Sequence, residues 1–289
     1  MICTLCPRRC GAERTETEGH GFCGMPAGVR VARAALHMWE EPPISGVNGS
    51  GTVFFSGCTL RCAYCQNGSI SAGGFGKAIT TQHLREIFDE LIAHGAHNIN
   101  LVTPTHFLPW ILPALEPKLS VPVIYNCGGY ESVDTLRTLE GKVDIYLPDL
   151  KYADDALAGT LSAAPDYFPV AAAAIQEMFR QTGPCVPEDG LLKRGVVIRH
   201  LVLPGQLDNT RRCIDWVAEH FRPGQVLFSL MSQYTPQEGA EGALRRHVTR
   251  AEYRAAVSYM ENCGITDGFT QERTAARAEY TPPFDLTGV

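Results

Sequence analysis

Residues 52–67 read TVFFSGCTLRCAYCQN, an apolar run followed at once by three cysteines. These are Cys58, Cys62 and Cys65, in the spacing CxxxCxxC. A structural zinc site closes a tetrahedron with four ligands, and this loop supplies three. A [4Fe–4S] cube held by three thiolates leaves one iron open to another molecule. The spacing therefore favours a cluster with an open iron over a closed zinc site.

The apolar run before these cysteines is the first of several. Six such runs are typical of strands: TVFFSG, NINLVTP, VPVIYN, VDIYLPDL, VVIRHLVLPG and QVLFSLMSQ. Helical patterns follow them: TQHLREIFDELIAHG, residues 108–115, SVDTLRTLEG, AAAAIQEMFRQTG, TRRCIDWVAEHF and TRAEYRAAVSYMENCG. This alternation predicts right-handed βαβ units and a parallel sheet. Periodicity alone allows an open partial barrel or a doubly wound sheet, and in both a ligand binds at the carboxyl ends of the strands.

The N-terminal region holds a second cysteine group. Cys3, Cys6, Cys10 and Cys23 lie on an irregular segment that is too small to fold by hydrophobic burial. Four thiolates suit either a zinc site or an auxiliary [4Fe–4S] cluster, and the spacing does not decide between them. We predict a metal-binding N-terminal appendage at residues 1–40 and a second domain at residues 41–289.

The composition argues against two classes of partner. The formal charge is −6 and no block of lysine or arginine is present, so we expect no nucleic-acid partner. No apolar stretch reaches the about 18 residues that span a membrane, and the chain opens without an apolar signal core. We expect a cytoplasmic protein. Its eleven cysteines then indicate metal or redox chemistry, because the cytosol keeps thiols reduced.

A CxxxCxxC loop after the first strand of a βα repeat, with the aromatic Tyr64 before its last cysteine, resembles the radical S-adenosylmethionine (SAM) superfamily over roughly residues 52–233. The resemblance implies an α/β fold with a partial (β/α)6 TIM-like barrel. It also implies that SAM binds the open iron through its amino nitrogen and carboxylate. Reductive cleavage of SAM would then give a 5′-deoxyadenosyl radical that abstracts hydrogen from a substrate.

Within the superfamily the chain is most similar to the activating-enzyme branch, whose best-known member activates pyruvate formate-lyase, and to its homologues with an N-terminal cysteine cluster. LPDLKY matches the DLK motif of that branch, which implies that Asp149 helps hold a monovalent cation near SAM and that Lys151 lines the active site. VVIRHLVLPG implies that Arg199 and His200 lie near the adenosine. A solvated strand end is the alternative for the first pair, and a core position for His200.

Three strand ends depart from the pattern of that branch. VTPTHF replaces a GGE-type motif, YNCGGYE replaces an Asp-Thr pair, and LMSQYTP stands where the branch has a histidine. We predict that the polar groups there take over the cofactor contacts, and that Tyr234 relays a proton or an electron unless it is a buried structural tyrosine. The remaining predicted cofactor-binding residues are Tyr64, Asn67, Thr103, Thr105, His106, Asn126, Gly128, Ser232 and Gln233.

The predicted function is that of a radical SAM enzyme, with a glycine Cα–H of a glycyl-radical partner protein as the target if the resemblance extends that far. The alternative is a radical SAM enzyme that modifies a peptide or a small molecule. A non-catalytic iron–sulfur electron carrier is the alternative from a different class. The family also implies an electron donor such as flavodoxin or ferredoxin.

Overall fold

The computed structural model describes residues 2–271 and 282–289. Its strands are β1 (Val29–His37), β2 (Ser50–Phe55), β3 (Lys77–Ile79), β4 (Ile99–Val102), β5 (Val123–Cys127), β6 (Ile145–Pro148), β7 (Val186–Glu188), β8 (Leu191–Leu201), β9 (Leu227–Met231) and β10 (Gly268–Thr270). Its α-helices are α1 (Pro42–Ser45), α2 (Gly68–Ser71), α3 (Thr81–Ala93), α4 (Leu108–Ala114), α5 (Val133–Arg137), α6 (Asp155–Ser162), α7 (Tyr167–Thr182), α8 (Leu207–His220) and α9 (Arg250–Asn262). Two short 3-10 helices cover Thr105–Phe107 and Gly242–Arg245.

The six predicted strands form the centre of one sheet. The sheet runs in the order β10-β9-β8-β6-β5-β4-β2-β1-β3, and β7 pairs with β8 outside this path. All neighbours from β2 to β10 are parallel, whereas β1 and β3 are antiparallel additions. Within the described residues the two ends of the path do not pair with each other. The α/β prediction with a partial barrel is therefore confirmed.

Four strands of this sheet, β1, β3, β7 and β10, lie outside the predicted repeat. β1 pairs with β2, with Val31 opposite Phe55, although the sequence analysis assigned residues 1–40 to the appendage. β10 pairs with β9 in parallel and extends the other edge. The irregular part of the N-terminal region is thus residues 2–28, which we call the cysteine segment. The division into two domains stays a prediction.

The connector after β1 fills the inside of the barrel. Ile44 of α1 is fully buried, and the Asn98 side chain donates a hydrogen bond of 2.7 Å to its carbonyl oxygen. Ile44 belongs to a small apolar cluster with Ile124, Ile145, Leu147, Leu192 and Val197. Successive strand residues face opposite sides of a sheet, so Asn126 and Arg199 share the inner face with Ile124 and Val197. Their polar groups therefore lie next to this apolar cluster, toward the carboxyl ends of the strands.

The helices that follow the strands of the repeat, such as α3 and α7, cover the outer face of the sheet, whereas α1 lies inside the barrel. α3 begins at Thr80, whose hydroxyl accepts a hydrogen bond from the His83 amide. α9 begins with a capping box between Thr249 and Glu252. Such caps satisfy amide groups that have no partner inside the helix. None of the helices in the described part of the chain is long and apolar enough to cross a membrane.

Candidate functional site

A cavity of about 260 Å³ opens at the carboxyl ends of the parallel strands. The cysteine loop, which we define as residues 56–67, forms one wall of it. Among the predicted site residues that line the cavity are Cys58, Cys62, Tyr64, Cys65, Asn67, Thr103, Asn126, Gly128, Asp149, Lys151, Arg199 and Gln233. The strand-end rule therefore brings together residues that are far apart in sequence.

The three thiols of the cysteine loop face this one cavity. Burial, with contributions from the charges of Cys62 and Cys65, raises the pKa of Cys58 to about 12. Burial also raises the pKa of Cys62, although the nearby Lys151 ammonium acts in the opposite direction. Three such thiolates are stable together only when a cationic centre compensates their charge. The donor set is thus that of a soft metal or an iron–sulfur site.

The thiols fit a cluster better than a single ion. In residues 2–271 and 282–289, no three His, Cys, Asp or Glu side chains are grouped so that they could hold one metal ion. In a [4Fe–4S] cluster each thiolate binds a separate iron, so the sulfurs need to border a common cavity without meeting at one point. Cys58, Cys62 and Cys65 border such a cavity.

Hydrogen bonds already reach all three sulfurs. The Leu60 amide lies 3.3 Å from Sγ of Cys58, and the Ser71 hydroxyl lies 3.4 Å from Sγ of Cys65. The Ser162 hydroxyl, at the end of α6, donates to Sγ of Cys62 over 2.9 Å. Sulfur ligands in proteins are commonly oriented by such donors.

Asp149 and Arg199 form a charged pair in the wall of the cavity. Arg199 Nε donates to Asp149 over 2.9 Å, and Lys151 Nζ donates to the other carboxylate oxygen over 2.5 Å. Burial opposes ionisation of Asp149, but the charges of Arg199 and Lys151 outweigh it and hold its pKa below the usual value. The Asp149 carboxylate in turn raises the pKa of Lys151 against the effect of burial. Both ions stay charged at neutral pH.

Glu40 belongs to the same network, although the sequence analysis missed it. Its carboxylate accepts hydrogen bonds from Arg199 (3.2 Å), Asn100 (3.1 Å) and Asn126 (3.3 Å). Burial raises its pKa, and the Arg199 charge opposes this effect. Glu40 follows β1 on the connector. The strand-end rule covers only the parallel strands of the repeat, so it did not predict Glu40. The sequence did carry one signal for a polar partner such as Glu40. It was the pair of amides, Asn100 and Asn126, on the inner face of neighbouring strands.

Thr103 has an unusual backbone for its residue type. Its φ is 59°, in the left-handed region that favours glycine. Its amide donates to the Asn126 carbonyl over 2.8 Å, and this contact holds the turn after β4 at the cavity. Backbone strain of this kind concentrates at functional sites. The position agrees with the prediction that Thr103 contacts a ligand.

Five predicted catalytic or cofactor-binding residues are not among those that line the cavity. Buried hydrogen bonds to protein atoms account for most of them, as with His200, which contacts the Leu150 carbonyl (2.6 Å) and the Thr210 hydroxyl (3.0 Å). Burial lowers the pKa of His200 to about 4. Tyr234 donates to the Leu244 carbonyl over 2.7 Å. The five are Thr105, His106, His200, Ser232 and Tyr234, and we leave them out of the proposed site.

The four N-terminal cysteines also lie near one another. Cys3, Cys6 and Cys23 are buried, whereas Cys10 is exposed. Burial raises the pKa of Cys6 to about 12, and the nearby Cys3 and Cys23 contribute in the same direction. Burial raises the pKa of Cys23 as well, with contributions from Cys3 and Cys10. The metal site at these four residues stays a prediction.

The cysteine segment packs directly on the cysteine loop. Arg8 donates from Nε to the Thr59 carbonyl over 2.8 Å and from Nη2 to the Ser162 carbonyl over 2.9 Å. A Cβ at Gly57 would lie 2.3 Å from Cγ of Met25 and 3.1 Å from the Cys23 carbonyl oxygen. Only glycine allows this approach, because the φ of 80° also disfavours other residues.

The sequence of this chain is similar to those of known proteins. The family described as 4Fe-4S single cluster domain matches residues 46–103, the part that contains the cysteine loop. The uncharacterised protein MJ0674 of Methanocaldococcus jannaschii is 30% identical over 277 residues, which cover 91% of this chain and 75% of that protein. The chain belongs to the family of MJ0674.

Solved structures of radical SAM enzymes have the fold of this chain. SuiB of Streptococcus suis, solved bound to SAM, has a TM-score of 0.52 and 14% identity, covering 74% of this chain and 48% of SuiB. Methylornithine synthase (PylB) has a TM-score of 0.50 and 15% identity, covering 71% of this chain and 59% of PylB. The chain spans about half the length of SuiB. The predicted resemblance to radical SAM enzymes is confirmed for the fold.

Proposed function

We propose that this member of the MJ0674 family is a radical SAM enzyme. The observation that carries the proposal is that Cys58, Cys62 and Cys65 border one cavity with Asp149 and Lys151 at the mouth of a partial barrel. When bound, a [4Fe–4S] cluster supplies the electron that cleaves SAM to a 5′-deoxyadenosyl radical for hydrogen abstraction. A carrier without catalysis has no use for a polar cavity beside an open iron.

The residues around the cavity take distinct roles in this proposal. Cys58, Cys62 and Cys65 hold the cluster. Polar groups at the strand ends, with Thr103 and Asn126 foremost, contact the SAM methionine group. Tyr64, Asn67, Gly128, Arg199 and Gln233 line the rest of the ligand volume. Lys151 and Asp149 keep opposite charges next to the loop, so that the cavity stays polar without a large net charge.

We do not carry the predicted monovalent cation into the proposal. The Asp149 oxygens already accept hydrogen bonds from Arg199 and Lys151, at 2.9 Å and 2.5 Å. A further cation at this carboxylate would meet two positive side chains at close range, which is unfavourable. Asn126, the other predicted oxygen ligand, accepts a hydrogen bond from Arg199 over 2.7 Å.

For the substrate we propose two candidates. The first is a glycine Cα–H of a glycyl-radical partner protein, which rests on the sequence resemblance to activating enzymes. The second is a peptide or a small molecule. SuiB, with a TM-score of 0.52 to this chain, was solved bound to its precursor peptide SuiA, and this favours a peptide. Electrons would come from a flavodoxin or a ferredoxin, and the N-terminal cysteines would hold zinc or a second cluster.

The test is anaerobic reconstitution followed by incubation with dithionite and SAM. We expect 5′-deoxyadenosine from the wild type and none from the Cys58→Ala, Cys62→Ala, Cys65→Ala triple variant. The matched control is Cys263→Ala, because Cys263 lies at the end of α9, away from the loop. A reconstituted cluster that neither binds nor cleaves SAM would overturn the enzyme proposal in favour of an electron carrier.

Iron and zinc counts on the same sample address the cysteine segment. About four irons and one zinc per chain would assign zinc to the segment, and about eight irons would assign a second cluster. Capture of a glycyl-radical protein would favour the activator. Deuterium transfer from a labelled peptide into 5′-deoxyadenosine would favour the peptide-modifying enzyme.

A further inference from the structure

Ser162 is the last residue of α6, far from the cysteine motif in sequence but in contact with it. Its side chain is buried, with 1% exposure, and its hydroxyl donates to Sγ of Cys62 over 2.9 Å. This is shorter than the 3.4 Å contact between Ser71 and Cys65. Ser162 therefore makes the closest hydroxyl contact with a thiol of the loop.

The Ser162 hydroxyl contacts the hydroxyl of Tyr152, which in turn contacts that of Tyr64. The Tyr152 hydroxyl lies 2.7 Å from Ser162 Oγ, and the Tyr64 hydroxyl lies 2.9 Å from that of Tyr152. A cluster-bound thiolate only accepts hydrogen bonds, and each hydroxyl has one hydrogen to donate. In this structure the Tyr152 hydroxyl donates to that of Tyr64, and either oxygen of the Tyr152–Ser162 contact can be the donor. When a cluster-bound thiolate takes the Ser162 hydrogen, the Tyr152 hydroxyl donates to Ser162 instead.

The backbone around Ser162 fixes this arrangement. The Ala63 amide donates to the Leu161 carbonyl over 2.8 Å, which ties the cysteine loop to the end of α6. Arg8 of the cysteine segment donates to the Ser162 carbonyl over 2.9 Å. These contacts leave the Ser162 hydroxyl little freedom to turn away from the sulfur.

We propose that Ser162 is a positioning residue that raises the reduction potential of the cluster at Cys58, Cys62 and Cys65 through its hydrogen bond to Cys62. The proposal rests on the proposed function, because it requires that cluster. Reduction adds negative charge to the cluster and its thiolates. An O–H donor aimed at a ligating sulfur stabilises the reduced state more than the oxidised state, and hydrogen bonds to sulfur are an established determinant of cluster potential.

Tyr152 acts in the same direction through Ser162. A hydroxyl that accepts a hydrogen bond becomes a stronger donor, since hydrogen bonds in a chain polarise one another. The hydroxyls of Tyr152 and Ser162 thus form a short chain that ends on a cluster thiolate.

The test is a redox titration of the reconstituted full-length chain without SAM, followed by electron paramagnetic resonance. A parallel sample with SAM identifies the signal of this cluster, because SAM perturbs it. We expect Ser162→Ala to shift the midpoint potential to more negative values, by about 59 mV if the one-electron equilibrium changes tenfold. Tyr152→Phe is expected to give a smaller shift of the same sign, and Ser162→Thr to stay near the wild type.

Thr160→Ala is the matched control. It removes a hydroxyl from the same helix, where Thr160 is exposed and bonds the Ala156 carbonyl. An unchanged potential in Ser162→Ala, with wild-type iron content and circular dichroism, would overturn the proposal. If Ser162→Ala does not retain iron, Tyr152→Phe decides: a negative shift supports the proposal, and an unchanged potential overturns it. Failure of the proposed function gives a different result, since the wild type then shows no SAM-sensitive cluster signal.

Discussion

At the scale of single residues, the groups that contact a carboxyl group determine whether it stays ionised. Asp149 lies between two cations, and its pKa is lowered despite desolvation. Glu131 is buried, and it accepts hydrogen bonds from neutral hydroxyls, those of Thr105 (2.9 Å) and Tyr125 (3.1 Å). Neutral donors compensate desolvation less than full charges do. Burial therefore raises the pKa of Glu131 to about 7.

This raised pKa makes the stability of the protein depend on pH. A carboxyl with a higher pKa in the folded state than in the unfolded state stabilises the fold at low pH, and the contribution is lost as the pH rises. For Glu131 the loss falls between pH 4.5, the usual pKa of a glutamate, and its raised pKa of about 7. We expect the wild type to lose about 3 kcal/mol relative to Glu131→Gln over this range.

Urea denaturation of both proteins between pH 4.5 and 8 measures this difference in the free energy of unfolding. Glu140→Gln is the control, because Glu140 is exposed and its pKa is lowered by its hydrogen bond to Arg180. Parallel curves for the wild type and Glu131→Gln would contradict the prediction.

At the scale of elements, the connector after β1 stabilises the barrel from inside. Ile44 on α1 is fully buried in the apolar cluster inside the barrel. Ile44→Ala removes methyl and methylene groups from a packed interior, and such changes cost about 2–5 kcal/mol. Val47→Ala is the matched control, because Val47 is 84% exposed. Thermal and urea unfolding of the two variants measures the difference, and equal stabilities would contradict the role of α1.

The sequence predicted the repeating elements better than the segments between them. Hydrophobic runs were sufficient for β2, β4, β5, β6, β8 and β9, and the strand-end rule was sufficient for the place of the cavity. The resemblance to the activating enzymes singled out Asp149 and Arg199 on its wall. Glu40 and Ser162 were missed, because one lies on a connector and the other at a helix end. Their roles come from long-range contacts, to Arg199 and to Cys62, which no local pattern encodes.

At the scale of the whole molecule, the two cysteine groups share one packed region. Arg8 of the cysteine segment bonds the Thr59 and Ser162 carbonyls, and Gly57 lies against Met25 and Cys23. A segment with so few apolar residues would depend on the proposed metal for its structure. Loss of that metal would then remove contacts from the cysteine loop as well as from the segment.

We expect the double variant Cys3→Ser, Cys6→Ser to weaken the cysteine loop, although neither residue belongs to it. The amides of residues 56–67 should exchange hydrogen about tenfold faster, which corresponds to about 1.4 kcal/mol of lost local stability, and the loop should retain less iron. Hydrogen exchange with mass spectrometry and iron analysis after gel filtration measure both effects, with Cys263→Ser as the control. If residues 2–28 lost protection while the loop exchanged as in the wild type, the two sites would be independent. If both lost protection together, the metal of the cysteine segment would be part of what holds the loop in the geometry that a cluster needs.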